Sequence, residues 1–281
     1  MCDDEALGIP GCRVLGRIEH PRQRNHTWLV RYQGAGAVAK RFRLLSTDAV
    51  AELCTIESRL RSAGVPVPEL VYRSVDAPVI AHALVHGDHV TRPTAAMVAD
   101  CVRVFASQLL ALRGTRANWA PDRPECLPGW ARAALDAATS TSTRELVVTS
   151  WQALITMARG SAEVTSHADW RADNILFRDE RVAAVLDWED LISLPAAEAI
   201  GYAAASFTLT WREEIYAPVA LEPIELFLAL AEENGMLRPE AGMHARTAAL
   251  HMAAVRLAED QQRGLAALSS GELRKALGDV L

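Results

Sequence analysis

The stretch that decides the fold runs from Ser166 to Trp188: SHADWRADNILF at 166–177, RDER at 178–181 and VAAVLDW at 182–188. Two apolar runs, NILF and VAAVLDW, flank a charged turn of Arg178, Asp179, Glu180 and Arg181, the pattern of a β-hairpin. Asp169 stands two residues after His167, Asn174 five residues after Asp169, and Asp187 at the end of the second run, thirteen residues after Asn174. The hairpin therefore brings two carboxylates and an amide to its two ends and fixes their separation. Taken singly, each has an ordinary explanation as a turn or capping residue. Their order and the hairpin between them make them a set.

Working outward, residues 13–43 read as a three-strand antiparallel meander, VLGRIE, TWLVRY and AVAKRF, the last after the turn-forming Gln33, Gly34, Ala35 and Gly36. Ser46 or Thr47 can cap a helix whose apolar residues Ala49, Leu53, Ile56 and Leu60 recur at helical spacing, and Gly64, Pro66 and Pro68 end it. LVYRSV and PVIAHAL supply two more strands. Beyond Thr91, Ala-rich segments near 94–113, 129–138, 143–159, 196–209, 223–234 and 240–267 read as helices, with loops on either side of the 166–188 hairpin. The expectation is an α+β chain: a five-stranded antiparallel lobe with one helix over residues 1–88, hinge included, and a mostly helical lobe over 89–281. His86-Gly87-Asp88 imitates the His-x-Asp element, but Pro93 stands five residues after its Asp, so this stretch reads as the hinge and its exit loop.

A length of 281 residues with 50% hydrophobic composition excludes a disordered tail or a disulfide-stapled miniprotein. The net charge of −6 disfavours a globally basic nucleic-acid binder. Residues 1–90 carry 11 basic and 10 acidic side chains against 18 and 25 beyond them, so the first part tolerates an anion and the second attracts a cation. Five scattered cysteines without a C-x-x-C pair fit a reduced cytoplasm, and the acidic start and the lack of an eighteen-residue apolar run argue against export or a membrane span.

Phosphoryl transfer from a nucleotide needs the set found at 169, 174 and 187: one carboxylate to orient and deprotonate a hydroxyl, and oxygen ligands to hold Mg²⁺ on the phosphates. The H-x-D-x-x-x-x-N element, the hairpin and the strand-end Asp187-Trp188 resemble the aminoglycoside phosphotransferase family of small-molecule kinases, and HADWRADN is similar to the Arg-containing catalytic loops of its actinobacterial members. The strand-rich first part and SAGVPVPEL after its helix also match that family. The resemblance implies a bilobal protein-kinase-like fold, with Asp169 as the catalytic base, Asn174 and Asp187 as Mg²⁺ ligands, and His167 as a structural brace. Lys40, one of two lysines among 29 basic residues, matches the lysine on the α- and β-phosphates. Family spacing from Gly64-Val65-Pro66 puts that lysine's acidic partner near Leu53, which favours Glu52 over Glu57.

Asn25 sits where many members have Asn, although no glycine occurs between Gly16 and Gly34; Arg22, Arg24 and His26 stand there instead, and two readings stay open, an anion-meeting loop and a solvated turn. Adenine is expected against Ala81, Ala83 and Val85, with ATP or GTP as donor. The acidic second part suggests a cationic acceptor, an aminoglycoside or a basic peptide antibiotic such as capreomycin or viomycin, met by Glu189, Asp190, Glu198, Glu213 and Glu214, with Arg171 at the substrate or paired with Asp173, and Trp170, Trp188 and Trp211 packed or stacked on a ring. Expected partners are therefore that small molecule alone, for a monomer or weak dimer without nucleic acid or membrane. Two alternatives stay open: a metabolic kinase for choline, homoserine or a sugar, and a nucleotide-binding regulator without turnover.

Overall fold

In the computed structural model, which describes residues 7–19, 25–124, 126–210 and 212–277, the first five strands form one antiparallel sheet. They are β1 (Cys12–Ile18), β2 (His26–Tyr32), β3 (Ala35–Arg41), β4 (Leu70–Arg73) and β5 (Val79–Ala83), in the order β1-β2-β3-β5-β4. The expectations attached to Cys2, Arg22, Arg24 and Trp211 lie outside the described residues. Because side chains alternate along a strand, each strand contributes to two faces. Trp28, Val30, Ala37, Ala39, Val79 and Ala81 pack together on one. Lys40, paired in register with Ile80, belongs to the other, as does His82, which is opposite Val38.

That second face is covered by α1 (Thr47–Ser62). Ser46 caps it as expected: its Oγ accepts the Ala49 N–H at 3.2 Å. Val50, Leu53, Ile56 and Leu60 are buried along one stripe, each side chain contributing about 1.5–3 kcal/mol by leaving water. Gly64, at φ +79, takes the left-handed conformation that ends the helix. A buried Glu57 on α1 accepts from His82 Nε2 at 2.8 Å and ties the helix to β5.

The remainder is mainly helical: α2 (Ala95–Ala111), α3 (Gly129–Ala137), α4 (Thr141–Ala158), α5 (Ala196–Ser206), α6 (Leu221–Glu233), α7 (Pro239–Gln262) and α8 (Ser270–Leu277). Among the described residues no helix is long and apolar enough to cross a membrane. At Gly201 α5 approaches α7 so closely that a Cβ would lie 2.1 Å from Ala245 O. Strands β7 (Ile175–Arg178) and β8 (Arg181–Val185) form the expected hairpin, closed by a two-residue turn in which Asp179 and Glu180 both have positive φ, the geometry that matches strand twist.

Three elements differ from the sequence reading. Residues on either side of the hairpin are strands, β6 (Glu163–His167) and β9 (Leu191–Pro195), which pair antiparallel from Glu163↔Pro195 to His167↔Leu191. They clamp the base of the loop that holds Asp169 and of the loop that holds Asp187. Helix α8 was also absent from the sequence reading; it is short and follows the Gly264 turn. The exit loop after β5 docks on the hairpin, where Asp88 and Phe177 exchange backbone hydrogen bonds at 2.8 and 2.9 Å. Gly87 permits this approach, since a Cβ there would meet Phe177 O at 2.9 Å.

Candidate active site

His167, at the end of β6, organises the loop that follows it. Its Nδ1 accepts the Asp169 N–H at 3.0 Å, so Nε2 carries the proton and donates to Leu186 O at 2.8 Å. Burial lowers its pKa below the ordinary histidine value despite the nearby carboxylates, and the ring stays neutral. Trp170 and Trp188, both buried, meet it edge-on at 5.9 and 4.9 Å. One ring thus fixes the backbone of the 167–174 loop to the residue before Asp187. The two tryptophans are packing residues.

Asp169 is held from one side by Arg171, whose Nε donates to Oδ1 and whose Nη2 donates to Oδ2 at 2.5 Å. Asn174 Nδ2 donates to Asp169 O at 2.8 Å and to Oδ2 at 3.0 Å. Arg171 Nη1 also reaches Asp173 Oδ2 at 3.3 Å, and Thr210 donates to Asp173 Oδ1 at 2.5 Å. Arg171 is 15% exposed and lies within the 167–174 loop, where it pairs with Asp173, as one of the two sequence readings had it, and with Asp169, which neither had.

Asp187 lies in a left-handed backbone conformation, φ 60, which aspartate tolerates better than most residues. The Leu186 N–H before it donates to Asn174 O at 2.8 Å, which ties the two loops together. Its Oδ1 accepts from Lys40 Nζ at 2.6 Å, joining the sheet of the first part to the hairpin of the second. Burial would raise the Asp187 carboxyl, but the Lys40 ammonium beside it holds it below the usual carboxylate range. Burial alone would likewise lower Lys40, and Asp187 with Glu189 outweigh it, so the lysine stays charged.

The second partner of Lys40 is a correction. Glu189 Oε1 accepts from Lys40 Nζ at 2.6 Å and from Asn25 Nδ2 at 2.8 Å, and its side chain is 12% exposed. Burial and the Asp187 charge push its pKa up. The sequence reading gave Glu189 to the substrate and Glu52 to Lys40. Glu52 instead accepts from Asn118 Nδ2 at 2.9 Å, and Glu57 is committed to His82, so α1 offers Lys40 no carboxylate. Asn25 reaches this cluster through Glu189.

Three of the other acidic residues expected at the acceptor make ion pairs, one buried and two on the exposed surface. Glu198 is buried and pairs with Arg123 at 2.7 Å; Glu213 pairs with Arg263 at 2.7 Å and Glu214 with Arg212 at 2.8 Å. Asp190 closes the turn after Asp187 through backbone bonds, its N–H to Asp187 O and its O from Ala168 N–H. Ala81 and Ala83 alternate with Ile80 and His82 and so lie on the sheet face away from Lys40, and Ala83 N–H is spent on Glu69 O. Val85 N–H has no acceptor among the described residues, so the main-chain groups open to a ligand begin there.

Two oxygens suit a divalent cation. Because both partners of Asn174 Nδ2 are acceptors, the amide orientation is fixed and its Oδ1 faces the other way; neither it nor Asp187 Oδ2 accepts a hydrogen bond from a described residue. Among the described residues no group of three or more His, Cys, Asp and Glu side chains forms a metal site. Mg²⁺ held by few protein oxygens and completed by phosphates and water needs no such cage.

Residues 19–227 match the model of the phosphotransferase enzyme family. No curated protein matches the chain. Among solved structures, a thermostable mutant of aminoglycoside phosphotransferase APH(4)-Ia in ternary complex with ADP and hygromycin B is 13% identical, with a TM-score of 0.55 over 97% of this chain and 95% of that one. Macrolide 2′-phosphotransferase MphH from Brachybacterium faecium is 21% identical, with a TM-score of 0.51 over 99% and 94%. An aminoglycoside phosphotransferase from Alicyclobacillus acidocaldarius is 12% identical, with a TM-score of 0.55 over 97% and 88%. At these identities the likeness establishes the fold, α+β and bilobal in the manner of kinases.

Proposed function

The chain belongs to the phosphotransferase enzyme family, and from that premise we propose that it transfers the γ-phosphoryl group of ATP to a hydroxyl of a cationic antibiotic. The observation that carries this reading is the tie of Lys40 to Asp187 across the cleft, with the Asp169 and Asn174 loop bound to the same turn. We set the domain boundary after residue 88, a reading supported by the contact of the exit loop with the hairpin there. ATP follows the relatives crystallised with ADP or AMP-PNP and hygromycin B.

Asp169 accepts the acceptor hydroxyl's proton. A carboxylate offers about four lone-pair sites. Arg171 and Asn174 fill three, two of them on Oδ2, so Oδ1 keeps the place for the hydroxyl. Arg171 fixes the plane of that carboxylate, while Asn174 Oδ1 and Asp187 Oδ2 are the oxygens for Mg²⁺. When bound, Mg²⁺ neutralises charge on the phosphates. Lys40, already charged, would pair with phosphate oxygens, and Asp187 Oδ2 would remain for the cation. Catalysis is then positioning and charge neutralisation.

The cationic acceptor rests on the acidic excess beyond residue 90 acting at a distance. It no longer rests on Glu198, Glu213 or Glu214, each of which is paired. The test is mass spectrometry of aminoglycosides, capreomycin, viomycin and a macrolide incubated with the protein and MgATP or MgGTP. One added phosphoryl group on an aminoglycoside or basic peptide is expected; modification of the macrolide alone, which carries a single amine, would overturn the polycationic acceptor, and modification of none the antibiotic reading.

A further inference from the structure

Glu189 restrains Lys40 with its side chain, and its main chain is held in turn. The peptide that joins Glu189 to Asp190 is bonded at both ends. Its N–H, that of Asp190, donates to Asp187 O at 3.1 Å, and its carbonyl, that of Glu189, accepts from the indole Nε1 of Trp119 at 2.9 Å. A peptide is a rigid plane, so two bonds at opposite ends fix its rotation about the Cα–C bond of Glu189. That rotation sets where the Glu189 side chain starts out toward Lys40 Nζ, 2.6 Å from its Oε1. Without the indole N–H, the longer of the two bonds holds the plane alone.

Trp119 stands 70 residues from Glu189, on the loop after α2, half-buried at the edge of the main core. That loop is seated by other contacts. Arg59 Nη1 of α1 donates to Thr115 Oγ1 at 2.6 Å, Asn118 Nδ2 donates to Glu52 Oε2 at 2.9 Å, and the Ser193 N–H of β9 donates to Pro121 O at 3.1 Å. Ala117 and Ala120, on either side of the Asn118-Trp119 pair, are buried. Docking of the loop therefore does not depend on the indole N–H. What that N–H adds is a link from the loop to the residue that restrains Lys40.

We propose that Trp119 is a positioning residue of the nucleotide site: its indole N–H orients the Glu189 peptide and, through it, the carboxylate that restrains Lys40. The assignment rests on the phosphoryl-transfer reading, because it takes Lys40 as the partner of the phosphates. The test is calorimetric binding of MgATP to the full chain, with no acceptor present. Trp119→Phe keeps an aromatic ring and loses the donor, and is expected to weaken MgATP about threefold to fivefold, within the range of one hydrogen bond. Asn118→Ala, which removes a neighbouring bond of the same loop, is expected to bind as the wild type does. In Glu189→Ala no carboxylate is left to position, so adding Trp119→Phe is expected to change the Kd by less than about twofold. A role confined to seating the loop would weaken binding in Asn118→Ala as well and would add to Glu189→Ala. Unchanged affinity in Trp119→Phe, an equal loss in Asn118→Ala, or an additive loss in the double variant would overturn the assignment. A wild-type chain that binds no MgATP would instead overturn the phosphoryl-transfer reading, and the assignment with it. Should Trp119→Phe fail to fold, benzothienylalanine at position 119 keeps the shape of the indole and lacks only its N–H; undiminished MgATP affinity in that protein would overturn the assignment equally.

Discussion

Replacing Glu189 by Gln tests the ion cluster at its most exposed assumption, that a residue just past Asp187 restrains Lys40 in place of one on α1. Glu189 Oε1 takes two donors, Lys40 Nζ at 2.6 Å and Asn25 Nδ2 at 2.8 Å. Gln keeps an acceptor oxygen and loses the charge. A hydrogen bond to a charged group contributes about 1.5–3 kcal/mol and a neutral one about 0.5–1.5, so about 1–1.5 kcal/mol is lost, close to tenfold in an equilibrium. Lys40 then leans on Asp187 alone, the carboxylate offered to the cation, and that neutral pair competes with both cation and phosphate. The expected result is a kcat/KM for ATP about tenfold lower and a higher Mg²⁺ concentration for half-maximal rate, read from steady-state phosphorylation over a Mg²⁺ series. Glu52→Gln is the control, because Glu52 is engaged with Asn118, and it is expected to stay near the wild-type rate. If Glu52→Gln costs as much as Glu189→Gln, or the Mg²⁺ requirement of Glu189→Gln is unchanged, the assignment of Lys40's partner is wrong.

Asp169→Asn is expected to lower turnover by orders of magnitude while ATP binding, measured by calorimetry, changes little; retained turnover would remove Asp169 from proton transfer. Gly201→Ala sets a Cβ 2.1 Å from Ala245 O and 2.6 Å from Ala248 Cβ, so α5 and α7 must part, at a cost of about 3 kcal/mol in urea denaturation. Gly87→Ala pushes the exit loop off Phe177 and is expected to cost about 1–2 kcal/mol and to lower kcat, seen as a shift in the melting curve alongside a slower assay. His251 is fully buried, and burial depresses its pKa from 6.5 to about 4, so the unfolded chain binds the proton first. Its stability contribution is complete above the unfolded value of 6.5 and falls as pH drops through the folded value of about 4, by about 3 kcal/mol in all. Denaturation between about pH 7.5 and pH 4 should therefore show a steeper loss in wild type than in His251→Gln.

What the sequence disclosed was local. The Ser46 cap, the stripe of Leu53, Ile56 and Leu60, and the Asp179-Glu180 turn are set by neighbours a few residues away, and the structure has all of them. Asp169 and Asn174, five residues apart, are likewise in contact, whereas the hold of Arg171 on Asp169 was not read from the sequence. The β6–β9 pair was not legible, since Glu163–His167 is short, rich in Ser and Thr, and finds its partner only after the hairpin between them closes. Lys40 illustrates the same limit at longer range. Family spacing from Gly64-Val65-Pro66 put Glu52 near it, yet the pairing is decided by how the sheet meets the hairpin, 147 and 149 residues away.

The acidic residues beyond Asp187 teach a further point about charge counts. An excess of carboxylates says that the field of the molecule is negative on that side, which acts over a Debye length and needs no contact. It does not say which carboxylates are available. Glu198 is buried against Arg123, while Glu213 and Glu214 make exposed pairs with Arg263 and Arg212, and no sequence spacing announces these partners, which come from 75, 50 and 2 residues away. Specificity for the acceptor therefore has to come from groups near Asp169 that retain an open lone pair or an unspent donor. By that criterion Asp169 Oδ1, which keeps a lone pair beside Arg171, carries more information about what this protein binds than the surplus of negative charge does.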